Sequence, residues 1–201
     1  MPKPPQHPST PAEAGAIVSY SYKASLIGSA HQFELTDHGL SWRVAGKSGI
    51  WPYAGIAAVR LSYRPIWMQS RRFRADLETT DGMRLPIFST SWQTAALMAP
   101  QDRGYRTFML QLHARMKAAG SDAVLIGGLG PRLYVAATVL LALVALALAG
   151  LLLRAVATGE WAGVLFLMGF AALFGRQIGG FLRRNRPRTY TLDHVPAALL
   201  P

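Results

Sequence analysis

Ahead of one alternating strand pattern the chain reads Arg64-Pro65-Ile66-Trp67-Met68-Gln69-Ser70-Arg71-Arg72-Phe73-Arg74. Four arginines bracket an apolar Ile-Trp-Met tip. That combination suits an anionic bilayer surface: the tip enters the headgroup region and each nearby basic side chain adds about 1 kcal/mol. Arg64, Trp67, Arg71, Arg72 and Arg74 are therefore candidate lipid- or anion-binding residues. The competing reading folds Trp67 back on the core and leaves the arginines to solvate a strand end. Nucleic acid ranks third for this patch, because neither a reading helix nor a base-stacking motif accompanies it.

Other chemistry finds no constellation. His7, His31, His38, His113 and His194 are dispersed, and no HExxH places two of them at metal spacing. Asp76 and Glu78 share one strand face, as paired catalytic carboxylates would, but Arg72 and Arg74 beside them point to a solvated charge ladder. Gly127-Gly128-Leu129-Gly130 lacks the lysine and hydroxyl residue of a phosphate-binding loop and reads as a flexible hinge. The chain has no cysteine, which excludes disulfides, thiol nucleophiles and iron–sulfur clusters. The expectation is a protein without enzymatic activity, metal or cofactor.

The elements that must carry the basic loop follow from periodicity. Phe33 and Leu35, then Leu40, Trp42 and Val44, flank the turn signal Asp37-His38-Gly39. Ala57, Val59, Leu61 and Tyr63 alternate with Arg60, Ser62 and Arg64. Phe73, Ala75, Leu77 and Thr79 do the same before Asp81-Gly82 turns the chain into Met83, Leu85 and Ile87. Such alternation predicts antiparallel strands with one covered face. A turn of helix around residues 92–98 is a weaker reading. Tyr105, Phe108, Met109, Leu112 and Met116 then form one stripe of an amphipathic helix, with Gly120 as its stop. Strands followed by one helix make an α+β module.

Phe33-Glu34-Leu35-Thr36-Asp37-His38-Gly39-Leu40, then Trp51-Pro52-Tyr53-Ala54-Gly55-Ile56 leading to Val59, then Phe73 through Asp81-Gly82 and the closing helix together resemble a bacterial pleckstrin-homology-like (PH-like) domain. The resemblance covers about residues 16–118. It implies a curled antiparallel sheet or bent barrel capped by one C-terminal helix. The matching residues are turn and core positions, so the resemblance implies no catalytic residue.

Of 201 residues, 51% are hydrophobic and only 15% charged, against about 25% charged in an average soluble domain. The shortfall concentrates in residues 133–153, which carry no charge, and in a second apolar stretch from Trp161. The first is 21 residues, about 32 Å as a helix, matching a hydrocarbon core of about 30 Å. The second reaches residue 182 if Arg176 snorkels to the headgroups, with Trp161 at the opposite interface. The alternative is a re-entrant segment. Residues 154–160 then form a tight hairpin.

Trp161, Arg176, Arg183, Arg184, Arg186 and Arg188 are the expected membrane-interface anchors. Basic residues crowd before the first apolar stretch and after the second, while the connecting loop offers Arg154 offset by Glu160. The positive-inside rule therefore predicts cytoplasmic N- and C-termini; with helical spans and no signal peptide, the expected address of this multi-pass protein is the bacterial inner membrane. The formal charge of +11 also favours an anionic partner or surface.

The predicted organisation is a Pro-rich disordered tail at 1–14 without the apolar core of a signal peptide, a PH-like cytoplasmic domain at 15–120, and a Gly-rich linker at 121–132. Two transmembrane helices at 133–153 and 161–182 follow, then a basic cytoplasmic tail at 183–201. The apolar end of that tail docks on the domain, docks on a partner, or is disordered; the sequence leaves all three open. The expected function is a non-catalytic, membrane-anchored module that binds a partner protein or the anionic membrane surface. The alternative is an accessory subunit that assembles a membrane complex through its helical hairpin.

Overall fold

The computed structural model describes residues 18–65, 71–94 and 97–201; the expectation for residues 1–14 lies outside that range. Strands β1 (Val18–Tyr22), β2 (His31–Thr36), β3 (Gly39–Val44) and β4 (Lys47–Trp51) form an antiparallel sheet in chain order. Asp37 and His38 make the expected tight turn, with Thr36 opposite Gly39. Gly39 holds φ +150°, and a Cβ there would lie 2.2 Å from the Trp51 carbonyl oxygen, so only glycine lets β4 close against the turn.

The chain crosses to a second sheet through Pro52-Tyr53 and enters β5 (Ile56–Tyr63), which pairs with β6 (Phe73–Thr79), itself paired with β7 (Arg84–Phe88). Along β6 the expected alternation holds: Phe73, Ala75, Leu77 and Thr79 are buried, and Arg74, Asp76 and Glu78 face outward. In β5 a register shift between Ile56 and Ala58 resets the faces, so that Ile56, Val59 and Leu61 are buried while Ala57 and Tyr63 are only partly covered. The described residues of the 92–98 stretch, 92–94 and 97–98, are extended and do not form the expected helical turn. They belong to the hairpin of β8 (Thr90–Thr94) and β9 (Leu97–Pro100), whose Trp92 N–H donates to the Lys23 carbonyl at 3.1 Å beyond β1. Thr90, Trp92 and Thr94 favour extended backbone, and that tertiary bond holds it.

Helix α1 (Asp102–Ala118) buries the predicted stripe, Tyr105, Phe108, Met109, Leu112 and Met116, with His113 added. These side chains join those of both larger sheets in one core, with Phe33, Leu35, Leu61 and Leu77 at 0–1% exposure. Each such aliphatic or aromatic side chain contributes about 1.5–3 kcal/mol by leaving water. The α+β class is as expected.

Two long apolar helices follow, α2 (Pro131–Ala157) and α3 (Trp161–Arg184). Both are long and apolar enough to cross a membrane. None of the α2 residues is buried, and in α3 only Val164 and Leu182 are. A core helix of a soluble fold would be covered; these are not. The helices extend beyond the expected spans, so the turn between them shrinks to Thr158-Gly159-Glu160.

The segment expected as a flexible linker contains a strand, β10 (Val124–Gly127), which pairs parallel to β5. After α3 the chain returns as β11 (Arg188–Thr189), antiparallel to β10. Gly128 holds φ +88°, and a Cβ would meet the Asn185 carbonyl oxygen at 2.4 Å; this close approach, not hinge motion, is what the glycine serves. The last residues form a 3-10 turn (Ala197–Leu199) that buries Leu199 and Leu200 in the module's core. Of the three fates open to the tail, docking on the module is the one adopted.

Candidate anion-binding face

The β5–β6 connection carries the basic loop. Its base is closed by Arg64 N–H donating to the Arg72 carbonyl at 2.8 Å, next to the Tyr63–Phe73 pair. Trp67 lies outside the described residues. The four arginines separate into two kinds. Arg72 is half-buried with its guanidinium carbon 3.7 Å from the centre of the Phe88 ring, and burial pulls its pKa below arginine's ordinary value. Arg74 donates from Nε to Asp76 Oδ1 at 2.8 Å. Those two hold the outer face of the sheet together, whereas Arg64 and Arg71 are exposed. Glu78 accepts from Arg84 at 3.0 Å, so both outward carboxylates of β6 sit in ion pairs.

The end of α3 meets this loop through Asn185, which is fully buried. Its side-chain oxygen accepts from the Tyr63 N–H at 2.9 Å, and its amide donates to the Tyr63 carbonyl at 2.8 Å. One side chain thus continues the sheet edge where a strand would otherwise pair. The backbone carbonyl of Asn185 accepts from Leu129 N–H at 2.9 Å, fastening the start of α2 to the end of α3. Just before it, Arg184 is half-buried with its guanidinium carbon 5.0 Å over the Tyr63 ring.

The junction leaves an open cleft of 840 Å³ lined by Tyr63, Arg71, Arg176, Arg183 and Arg184 among others. An adjoining hollow of 410 Å³ shares Arg71, Arg183 and Arg184 and adds Arg188. Among the described residues, no acidic side chain lines either. Arginines that the sequence places in separate groups, one on the loop and the others after the second apolar stretch, therefore share one face. Arg64 and Arg186 are exposed and line neither hollow, and Trp161 is exposed at the far end of α3. Tyr63 and Asn185 were not expected here. Alternation assigned Tyr63 to the core face, and a lone asparagine after arginines carries no periodic signal.

The opposite flank of the tail is held by His113. Its Nδ1 lies 2.6 Å from the Met109 carbonyl and its Nε2 3.0 Å from the Tyr190 hydroxyl. The carbonyl can only accept, so Nδ1 carries the proton and Nε2 accepts from the phenol. Lys117 and Asp193 pair beside them. Burial lowers the pKa of His113, and of His31 by the same cause. Between those lowered values and the ordinary value of about 6.5, the unfolded chain binds more protons than the folded one. Stability therefore rises with pH through that window and levels off above it. The unfolding midpoint of the full chain is expected to be lower at about pH 5 than at about pH 8, with a smaller difference in His113→Gln; equal midpoints at both pH values would contradict the assignment.

Among the described residues, no group of three or more metal-ligating side chains converges. Comparison with family models, curated proteins and solved structures finds no match for this chain.

Proposed function

We propose that the chain is a non-catalytic PH-like module anchored in the bacterial inner membrane by a two-helix hairpin, with the module and the C-terminal tail on the cytoplasmic side, and that it engages the anionic bilayer surface. The observation that carries this reading is the junction at Asn185, which holds Arg71, Arg183 and Arg184 together at the end of an exposed apolar hairpin. Basic residues gathered at one end of a hairpin favour the cytoplasmic side and its anionic lipids. Closure of the curled sheets by α1 is part of the PH-like reading and is supported by the shared core.

Of the two binding modes expected for the module, the bilayer surface is the better supported. A partner peptide commonly adds a strand to an open sheet edge; β4 and β7 are such edges among the described residues, but neither strand lines the hollows that gather the arginines. The exposed apolar faces of α2 and α3 keep the accessory-subunit reading in view.

Absence of cysteine makes the topology directly testable. In intact cells a membrane-impermeant maleimide is expected to label Thr158→Cys, in the turn between the helices, and to label Arg103→Cys on α1 only after lysis. The full chain is expected to stay in the membrane through alkaline carbonate. Extraction by carbonate, or labelling of Arg103→Cys in intact cells, would overturn the proposal.

A further inference from the structure

We infer that the cleft between α3 and the end of β5 seats the phosphodiester headgroup of an anionic phospholipid. This rests on the membrane-anchored reading above and gives it a ligand and a set of residues.

Charge is the first support. Arg71, Arg176, Arg183 and Arg184 converge on one cleft whose lining, among the described residues, contains no carboxylate. Like charges gathered in this way repel one another and favour a counter-anion. Guanidinium groups are planar forks that match phosphate oxygens bidentately, and Arg184 is already oriented by its stacking over Tyr63. Arg72 and Arg74, occupied by Phe88 and Asp76, are not part of the set.

Depth is the second. A hydrocarbon core of about 30 Å takes up about 20 helical residues at 1.5 Å each. Counted from Trp161, its far boundary falls near Phe181. Arg183 and Arg184 then stand at headgroup level, and Arg176 begins about 7 Å below it, within reach by snorkelling. A soluble anion has no reason to select a cleft that straddles this boundary, whereas a lipid places its phosphate above it and its glycerol below.

Room is the third. Gly179 and Gly180 lie on the cleft wall, and among the described residues a Cβ at either would meet nothing within 4 Å. The helix surface is bare there, between Arg176 and Arg183, so the glycerol and first acyl carbons can lie against backbone. The adjoining hollow with Arg188 extends the basic surface beyond the phosphate. Phosphatidylcholine brings its own ammonium into this field and is disfavoured; phosphatidylglycerol brings none.

The test titrates short-chain phosphatidylglycerol, short-chain phosphatidylcholine and glycerol 3-phosphate into the full chain in neutral detergent, read by calorimetry. Saturable binding of phosphatidylglycerol alone is expected. Arg71→Gln/Arg183→Gln, both exposed and free of ion pairs among the described residues, is expected to bind about 30-fold more weakly, from roughly fivefold per basic residue at a membrane surface. Arg43→Gln/Arg103→Gln changes net charge equally on exposed positions outside the cleft and is expected to bind as the parent does.

Equal binding of both lipids, equal loss in both double variants, or binding of glycerol 3-phosphate as tight as that of phosphatidylglycerol would each overturn the cleft. If the protein nevertheless resists carbonate and labels as expected, the anchored-module reading stands without it. Extraction by carbonate would remove the anchored reading itself, whatever the titration shows.

Discussion

Leu199→Asp is expected to strip the C-terminal segment from the module and to lower its stability by more than about 4 kcal/mol, since it places an unpaired charge where no water reaches. Leu199 is fully buried in the core cluster that also holds Leu125 and Leu200, and its Cδ1 lies 2.7 Å from where a Cβ would stand on Gly127. Leu199→Ala removes the same contacts without the charge and is expected to cost about 2–5 kcal/mol. The measurement is the unfolding midpoint of the full chain in detergent, alongside limited proteolysis of residues 186–201. Protection of that segment is expected in the parent and lost in both variants. An unchanged midpoint in Leu199→Asp would mean that the tail is no part of the core. The same contacts explain why a fragment ending before α2 is a poor probe of function: it would leave the core without Leu199 and Leu200 and β10 without β11.

Asn185→Ala is expected to be the next most damaging change. It leaves the Tyr63 N–H and carbonyl without their part-buried partner, and each orphaned group costs up to about 1–3 kcal/mol. Asn185→Asp keeps the acceptor for Tyr63 N–H but turns the donor toward the Tyr63 and Phe181 carbonyls into a second acceptor; it is expected to be no better tolerated. Hydrogen exchange at Tyr63 reads the effect directly. It should rise in both variants while exchange in β6 changes less. Equal exchange at Tyr63 in the parent and in Asn185→Ala would show that the side chain does not join α3 to the sheet. Because Arg183 and Arg184 precede this joint, the variant also predicts weaker phosphatidylglycerol binding, although neither arginine is altered.

The parts of the fold legible from residue order are those written in short periods. Alternation in β2 and β6 and the 3.6-residue stripe of α1 each repeat within one element, so the signal is complete within that element. The long apolar runs of α2 and α3 are signals of the same local kind. Where the reading departed from the structure, the deciding interaction was remote. Val124–Gly127 is four residues long, too short to show a period, and becomes a strand because β5 offers it an edge. The Gly-Gly-Leu-Gly segment resembles a hinge in isolation and is a close-packed crossing in context, as Gly128 against Asn185 demonstrates.

The candidate site divides along the same line. That arginines flank an apolar tip and cluster after an apolar helix is a property of composition and spacing, as are the absence of cysteine, the dispersal of the histidines and the net charge of +11. Which arginines are spent on Phe88 and Asp76, and which share a cleft, is decided by contacts between elements far apart in the chain: Arg72 on Phe88, Asn185 on Tyr63, Tyr190 on His113. Residue type and periodicity determine what each segment buries. Which buried faces meet depends on chain crossings that no local pattern encodes, and here those crossings bring Arg71 of the loop to the end of α3.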